Sequence, residues 1–423
     1  MPADVPTAAQ EAAADSRARA PAAAPTGTGR LDGIDGVRAI GAFGILLVHV
    51  GLISGYSPTP WTRFGAYFAR AEVGVTVFFL ISGFVIWRPF VAAAFADRPA
   101  PAVGQFLARR FVRVVPLYWF VLTVVLFVQH RSPVHGLGDV VTFYGFLQIY
   151  RPGYEIEGVQ QAWSLCTIVS FYLAAPALAR LMRPGHRRLP AAGGARLAFE
   201  LGVLAAIFAG AYGYRWLVVS DYALNPLSAD GRILWLPTSA DVFAVGMALA
   251  AVHAWGEERG GFGSRLAGAL GRVPGEVWWL AGAACYWVVC TRVGLPRTVG
   301  AVGTRQWMLR EVLYTATAAF LLLPALFGPP RRGPVRRFLA SGPMVFLGVL
   351  SYGVFLWHEY VLDEYRRVRE ILPFEGWFWG MLAVTVVGSV ALATVTLYTV
   401  ERPTAAWAQR LPWLRKPHAT RPG

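Results

Sequence analysis

The stretch GVRAIGAFGILLVHVGLIS, residues 36–54, decides the class of fold. It is apolar over a length that crosses hydrocarbon as a helix, yet it holds Arg38 and His49. The two stand eleven residues apart, about three helical turns, so both side chains point the same way, roughly 16 Å apart along the axis. An ionisable group inside a membrane span is costly and marks a protein interior or a wet cavity. Gly41, Ala42 and Gly44 allow neighbouring helices to approach this span closely. By position alone, Arg38 reads either as an anchor snorkelling to the headgroups or as a functional cation. His49, three turns deeper, reads as a structural buried histidine or a reacting group.

The rest of the chain shares this character. Its 423 residues are 56% hydrophobic and 15% charged, with mean hydropathy +0.46; soluble domains carry about 25% charged residues. The apolar runs are continuous rather than alternating, which excludes an outer-membrane barrel. The pattern predicts an all-α, polytopic membrane helical bundle of about ten transmembrane helices in the cytoplasmic membrane. The spans fall near 36–54, 73–92, 112–129, 163–182, 197–218, 237–254, 276–291, 309–327, 343–362 and 377–399. Arginines gather around 17–38, 88–113, 183–196, 331–337 and 402–421, and the positive-inside rule then predicts that both termini are cytoplasmic. Residues 1–30, rich in Ala, Pro, Thr and Gly, are expected to be a disordered tail, and 404–423 a basic cytoplasmic tail. No apolar h-region precedes Arg30, so the first span is expected to be uncleaved. Loop 292–310 breaks the charge pattern with Arg292, Arg297, Arg305 and Arg310 on the outer side. The longest outer loop, 130–162, reads either as the cover of a cavity or as a solvated connector.

The formal charge is +15, and Lys416 is the only lysine. Basic residues flanking spans account for this charge, so nucleic acid is not an expected partner. Cys166, Cys285 and Cys290 all lie in apolar segments, and the seven histidines form no ligand-spaced pattern. Neither a disulfide framework nor a metal site is expected. Walker, GxGxxG and GxSxG motifs are absent from the sequence.

Three further stretches bear on chemistry. In FLARRFVRVVPLYW (106–119), Arg110 and Arg113 share a helix face, and Arg109 joins Arg113 at i, i+4. Guanidinium forks suit phosphate oxygens, although plain positive-inside flanking explains them equally well. SYGVFLWHEY (351–360) places His358 and Glu359 at the outer end of the ninth span, beside the interfacial aromatics Trp357 and Tyr360. GVTVFFLISGFVI (74–86) contains Ser82-Gly83, which reads first as a close helix-packing spot.

Taken in order, these motifs resemble the integral-membrane acyltransferase-3 family, whose members O-acylate sugars, envelope glycans, lipids and macrolides. The resemblance covers residues 31–403, the expected acyltransferase domain. It rests on DGVRAI with His49, on GVTVFFLISGF, on Arg110 and Arg113 followed by Pro116, Tyr118 and Trp119, on AWSLCTIVSFYLAAP (162–176), on SYGVFLWH, and on Glu401-Arg402-Pro403. It implies transfer from an acyl-CoA, acetyl-CoA in the simplest case, as co-substrate with no permanently bound cofactor, to a hydroxyl of a glycan, glycolipid or macrolide acceptor. His49 and Arg38 would be catalytic, with His49 as general base. Arg109, Arg110 and Arg113 would hold the coenzyme. His358, Trp163, Ser82 and Tyr118 would contact substrate. Two residues depart from the family pattern: Ile168 stands where a fourth-span Glu is usual, and Thr76 where an Asp is frequent. A carboxylate beside the histidine would orient its ring and stabilise the imidazolium. Glu72, Glu155 and Glu157 are candidates to replace it, and without a replacement the chain would be a catalytically impaired homologue. A transporter or flippase would also bury Arg and His, but the matched broken halves of such folds are not visible in the sequence.

Overall fold

A computed structural model describes residues 31–414, apart from 131, 133, 191–193, 225–230, 259–261, 298–301 and 330. The expected tails at 1–30 and beyond 414 lie outside these residues. Ten long helices carry the fold: α1 Asp32–Ile53, α2 Val73–Phe95, α3 Val103–Phe127, α4 Trp163–Arg188, α5 Ala195–Leu224, α6 Leu236–Glu258, α7 Gly275–Thr291, α8 Thr304–Leu326, α9 Gly342–Val368 and α10 Phe378–Thr396. No strand occurs among the described residues. This is the all-α membrane bundle that the apolar runs predict, because hydrocarbon requires each spanning segment to satisfy its own backbone hydrogen bonds. Among the described residues, nine of the helices are long and apolar enough to cross a membrane. The other, α7, has 17 residues, the short end of the spanning range. Helix α3 begins at Val103, nine residues before the predicted span at 112. Helical backbone continues past the apolar stretch, so Arg109, Arg110 and Arg113 ride on α3 itself.

α1 packs against both α2 and α9, and glycines make those approaches possible. A Cβ on Gly74 of α2 would sit 2.2 Å from the Gly41 carbonyl oxygen of α1. A Cβ on Gly348 of α9 would sit 2.0 Å from the Asp35 carbonyl oxygen. Gly83 is likewise pressed against α6 backbone, 2.4 Å from the Phe243 carbonyl oxygen by the same measure, which accounts for the Ser82-Gly83 pair as a packing spot. α10 runs into a π-turn at Leu397–Glu401 and then into helix Arg402–Arg410.

The two unusual loops have structural explanations. Loop 130–162 folds onto the bundle, with Phe143, Phe146, Ile149 and Val159 buried in the core around α3. Its helix Leu137–Tyr144 is pinned by Asp139, which accepts from the His135 N–H at 2.8 Å, Arg151 at 2.7 Å and the Tyr154 hydroxyl at 2.9 Å. These donors, the His135 N–H foremost, hold the Asp139 carboxyl below its ordinary range. In the 292–310 segment, Arg297 donates to the Thr59 and Pro60 carbonyls, Arg310 pairs with Glu72 and Glu311, and Arg292 lies over Trp287. These arginines are engaged within the protein.

Two outcomes are expected. Gly348→Val should lower the melting temperature of the purified protein, in line with overpacking costs of about 1–3 kcal/mol. Gly342→Ala should not, since a Cβ there meets nothing within 4 Å. Because the Asp139 carboxyl is depressed in the folded state, its contribution is present at neutral pH and fades as pH falls through the lowered value. Hydrogen exchange of residues 135–157, corrected for intrinsic rates, should rise on acidification, and Asp139→Asn should show the same loosening already at pH 7.

Candidate active site

His49 lies four residues from the end of α1, between Ile45 on one side of the core and Leu46 and Val50 on the α9–α10 side. Against it, α9 presents His358 and Glu359. Neighbouring residues on a helix are about 100° apart, so this adjacent pair brackets a single ring. His358 Nδ1 lies 2.7 Å from the Phe355 carbonyl oxygen and 3.2 Å from that of Val354. Carbonyls only accept, so Nδ1 carries the hydrogen and the neutral ring offers its Nε2 lone pair. His49 Nδ1, 2.9 Å away, donates to that lone pair. This leaves His49 Nε2 facing Glu359 Oε1 at 3.2 Å. Two lone pairs repel at that distance, so one proton belongs between them. The pair exists as imidazolium and carboxylate, or as imidazole and carboxylic acid.

Exposure separates the two histidines. His358 is 0% exposed, whereas the His49 side chain keeps 22% of its surface accessible. His49 is therefore the ring a substrate can meet, and His358 backs it. Gln161 reinforces the arrangement by donating from Nε2 to the carbonyls of Phe355 (2.9 Å) and Leu356 (3.0 Å), the turn that orients His358. The His49, His358 and Glu359 ligand atoms lie within 4.8 Å of one another, a spacing that could hold a divalent ion. The hydrogen bond between the rings uses the same His358 lone pair without one.

The carboxylate that the structure places beside His49 is Glu359 rather than Glu72, Glu155 or Glu157. Glu72 sits with Arg70, Arg310 and Tyr314, Glu157 accepts from Ser132, and Glu155 lies beside Gly231. The missed signal was the His-Glu adjacency at 358–359, already visible in the sequence.

Three turns along α1 from His49 is a second cluster. Arg38 pairs with Asp35 at 3.6 Å and stands within electrostatic reach of Arg113, Tyr172 and Glu401. Arg113 comes from α3, Tyr172 from α4 and Glu401 from the π-turn. Such turns recur at functional sites because the extra residue re-aims side chains. Arg110 lies over the rings of Phe106 (5.5 Å) and Tyr172 (5.9 Å), with Arg109 next to it. Arg110 and Tyr172 also line an apolar groove of about 470 Å³ between α3 and α4. The structure thus joins Arg38 to the α3 arginines, and His49 to His358.

The other expected substrate residues occupy different positions. The Tyr118 hydroxyl donates to the Phe143 carbonyl at 2.8 Å and pins loop 130–162 to α3. Trp163 opens α4 and meets Phe79 edge-on. Ser82 is half-buried on α2, next to the glycine that packs on α6.

A family model described as an acyltransferase domain matches residues 31–397. The chain belongs to the acyltransferase-3 family. Among its relatives, the exopolysaccharide production protein ExoZ of Rhizobium meliloti is 27% identical over 71% of this chain and 79% of its own length. Nodulation protein 10 of Rhizobium leguminosarum bv. viciae is 24% identical over 78% of this chain and 81% of its own. The O-acetyltransferase OatA of Staphylococcus aureus is 22% identical over 78% of this chain and 50% of its own. No solved structure matches the chain.

The tautomers of this acyltransferase-3 protein can be measured. Solid-state NMR on ¹⁵N-histidine-labelled protein should show His358 and His49 both protonated at Nδ1. Glu359→Gln should shift the His49 Nε2 resonance and leave His358 in place; an Nε2-protonated His358 would reverse the hydrogen-bond direction assigned here.

Proposed function

We propose that this protein moves an acyl group, acetyl in the simplest case, from acyl-coenzyme A to a hydroxyl of a carbohydrate chain, with His49 as general base. The observation that carries this reading is the partly exposed His49, its Nε2 facing Glu359, at one end of α1, with the Arg38–Arg113 cluster at the other end of the same helix. The printed names of two relatives, an O-acetyltransferase and an exopolysaccharide production protein, support the reaction and the acceptor class.

In this reading the arginine end is cytoplasmic. Arg38, Arg109, Arg110 and Arg113 meet the phosphates of the donor, for which planar guanidinium forks are well shaped. The thioester arm then runs along α1 toward His49, bridging the roughly 16 Å that separates the two ends of this face. On acceptor binding the proton shared by the resting pair leaves to solvent, so Glu359 is ionised and His49 Nε2 carries a lone pair; the acceptor hydroxyl then displaces the His49–Glu359 contact and donates to Nε2. As the hydroxyl proton transfers to Nε2, the hydroxyl oxygen bonds to the thioester carbonyl carbon. The tetrahedral adduct collapses, the C–S bond breaks, and the imidazolium returns its proton to the coenzyme A thiolate. Glu359, ionised at this stage, stabilises the imidazolium, and the Nδ1–H bond to His358 keeps the ring aligned.

The test is release of free coenzyme A from acetyl-CoA by purified protein with a glycan acceptor, the product being followed as an acetyl mass increment. His49→Ala should lower turnover by about 10²–10⁴-fold, the usual worth of a positioned base. Glu359→Gln should lower kcat with little change in either KM, and Arg113→Ala should raise the KM for acetyl-CoA. Wild-type turnover by the His49→Ala protein would remove the base assignment.

A further inference from the structure

The histidines show no ligand spacing along the chain, yet the fold assembles three metal-type donors in one place. His49 comes from α1, and the adjacent His358 and Glu359 come from α9. One ligand atom from each lies within 4.8 Å of the other two. Two imidazoles and one carboxylate are a donor set that zinc uses where it keeps a fourth position open. Magnesium and calcium prefer oxygen and have little use for imidazole nitrogen.

A histidine that binds a metal usually donates its other ring N–H to a carboxylate or a backbone carbonyl, which fixes the tautomer and aims the second nitrogen at the ion. His358 is already held in this way. Its Nδ1–H bonds to the Phe355 carbonyl at 2.7 Å, and its Nε2 lone pair points at His49. Gln161 donates to the same carbonyl at 2.9 Å, and the whole ring is buried, so this ligand is set before any ion arrives. The adjustable ligand is His49. Its contacts, 2.9 Å to His358 Nε2 and 3.2 Å to Glu359 Oε1, use opposite nitrogens of one ring. Tetrahedral zinc with nitrogen and oxygen ligands sets neighbouring ligand atoms about 3.4 Å apart. The His49 ring must therefore turn to give a single nitrogen to the ion, and its exposed edge leaves it that freedom.

We infer that His49, His358 and Glu359 form a site for one zinc ion, and that zinc held there blocks acyl transfer; the blocking half rests on the proposed role of His49 as base. In the binding step, His358 Nε2, one His49 nitrogen and one Glu359 oxygen each give a lone pair to the ion. The hydrogen bond between the rings breaks. His49 and Glu359 together hold two protons beforehand; one stays on the His49 nitrogen that does not bind, and the other leaves to water. The site then carries two neutral imidazoles and one carboxylate against a doubly charged ion. A His49 lone pair committed to zinc cannot accept a proton from a hydroxyl, so a filled site is a silent one.

The site can be tested apart from turnover. The full chain, free of any affinity tag and held in phosphatidylcholine nanodiscs, is titrated with zinc chloride against a chromophoric chelator. One equivalent should bind per chain, and magnesium and calcium should not compete. X-ray absorption at the zinc edge should show nitrogen and oxygen neighbours at about 2.0–2.2 Å and no sulfur, a readout that needs no variant to fold. His358→Ala and Glu359→Gln should each weaken binding about 100-fold, at or above the cost of losing a partner that merely supports a ligand. His253→Ala, which removes the histidine facing Glu257, should bind zinc as the wild type does. Transfer is followed as acetylated product, because the coenzyme thiol itself binds zinc; it should fall in step with occupancy and return when chelator is added. Less than one equivalent bound, a sulfur neighbour, triad variants within threefold of wild type, or loss of binding in His253→Ala would overturn the site. Full turnover with the site filled would overturn the block. A chain that binds one zinc but never transfers would remove the transfer reading, and the block with it, while the site stands, so the two fail separately.

Discussion

The carbonyl oxygen of Phe355 takes the Nδ1 hydrogen of His358, and the direction of every hydrogen bond beyond it follows. A carbonyl cannot donate, so His358 must present a lone pair, His49 must turn its own Nδ1–H toward that lone pair, and Nε2 of His49 is left facing away from His358. No charged group is needed to orient His49. A fully buried imidazole tied to a helix backbone does the orienting work often given to a carboxylate, and Glu359 faces the other nitrogen of His49.

This chain of bonds depends on how closely three helices approach. α1 meets α2 where Gly41 faces Gly74, and α9 where Gly348 faces the backbone at Asp35. Side chains at those points would push the helices apart by more than a hydrogen bond tolerates. In a bilayer, where lipid is as apolar as leucine, small residues of this kind allow the close packing that drives association. The polar site and the glycine pattern are two parts of one design, since backbone contact near one end of α1 sets the spacing at which His49 meets α9.

Much of this was legible in the sequence, for physical reasons. The helices follow from apolar runs, because hydrocarbon leaves the backbone no other partner. The shared face of Arg38 and His49 follows from the helical repeat alone. The carboxylate was harder to find. Ile168 marks α4, and Glu72, Glu155 and Glu157 all stand off α9, because which helix lies beside α1 is a tertiary fact that no local period encodes. Only the adjacency of His358 and Glu359 hinted at two groups flanking one ring. The beginning of α3 was missed because hydropathy reports where lipid begins, not where helical hydrogen bonding does. Arg297 and Arg310 looked misplaced because partners of theirs, the Thr59 and Pro60 carbonyls and Glu72, are distant in sequence.

The proton held between His49 and Glu359 bears on how the site responds to voltage. With the proton on nitrogen the pair is a zwitterion, and with it on oxygen the pair is uncharged; the sum is zero in both. Moving one elementary charge through a whole membrane potential is worth about 2.3 kcal/mol per 100 mV. A hop within a 3.2 Å contact crosses at most about a tenth of a bilayer core some 30 Å thick. The electrical work of such a hop is then only a few tenths of a kcal/mol per 100 mV, so the His49–Glu359 contact couples only weakly to the membrane potential.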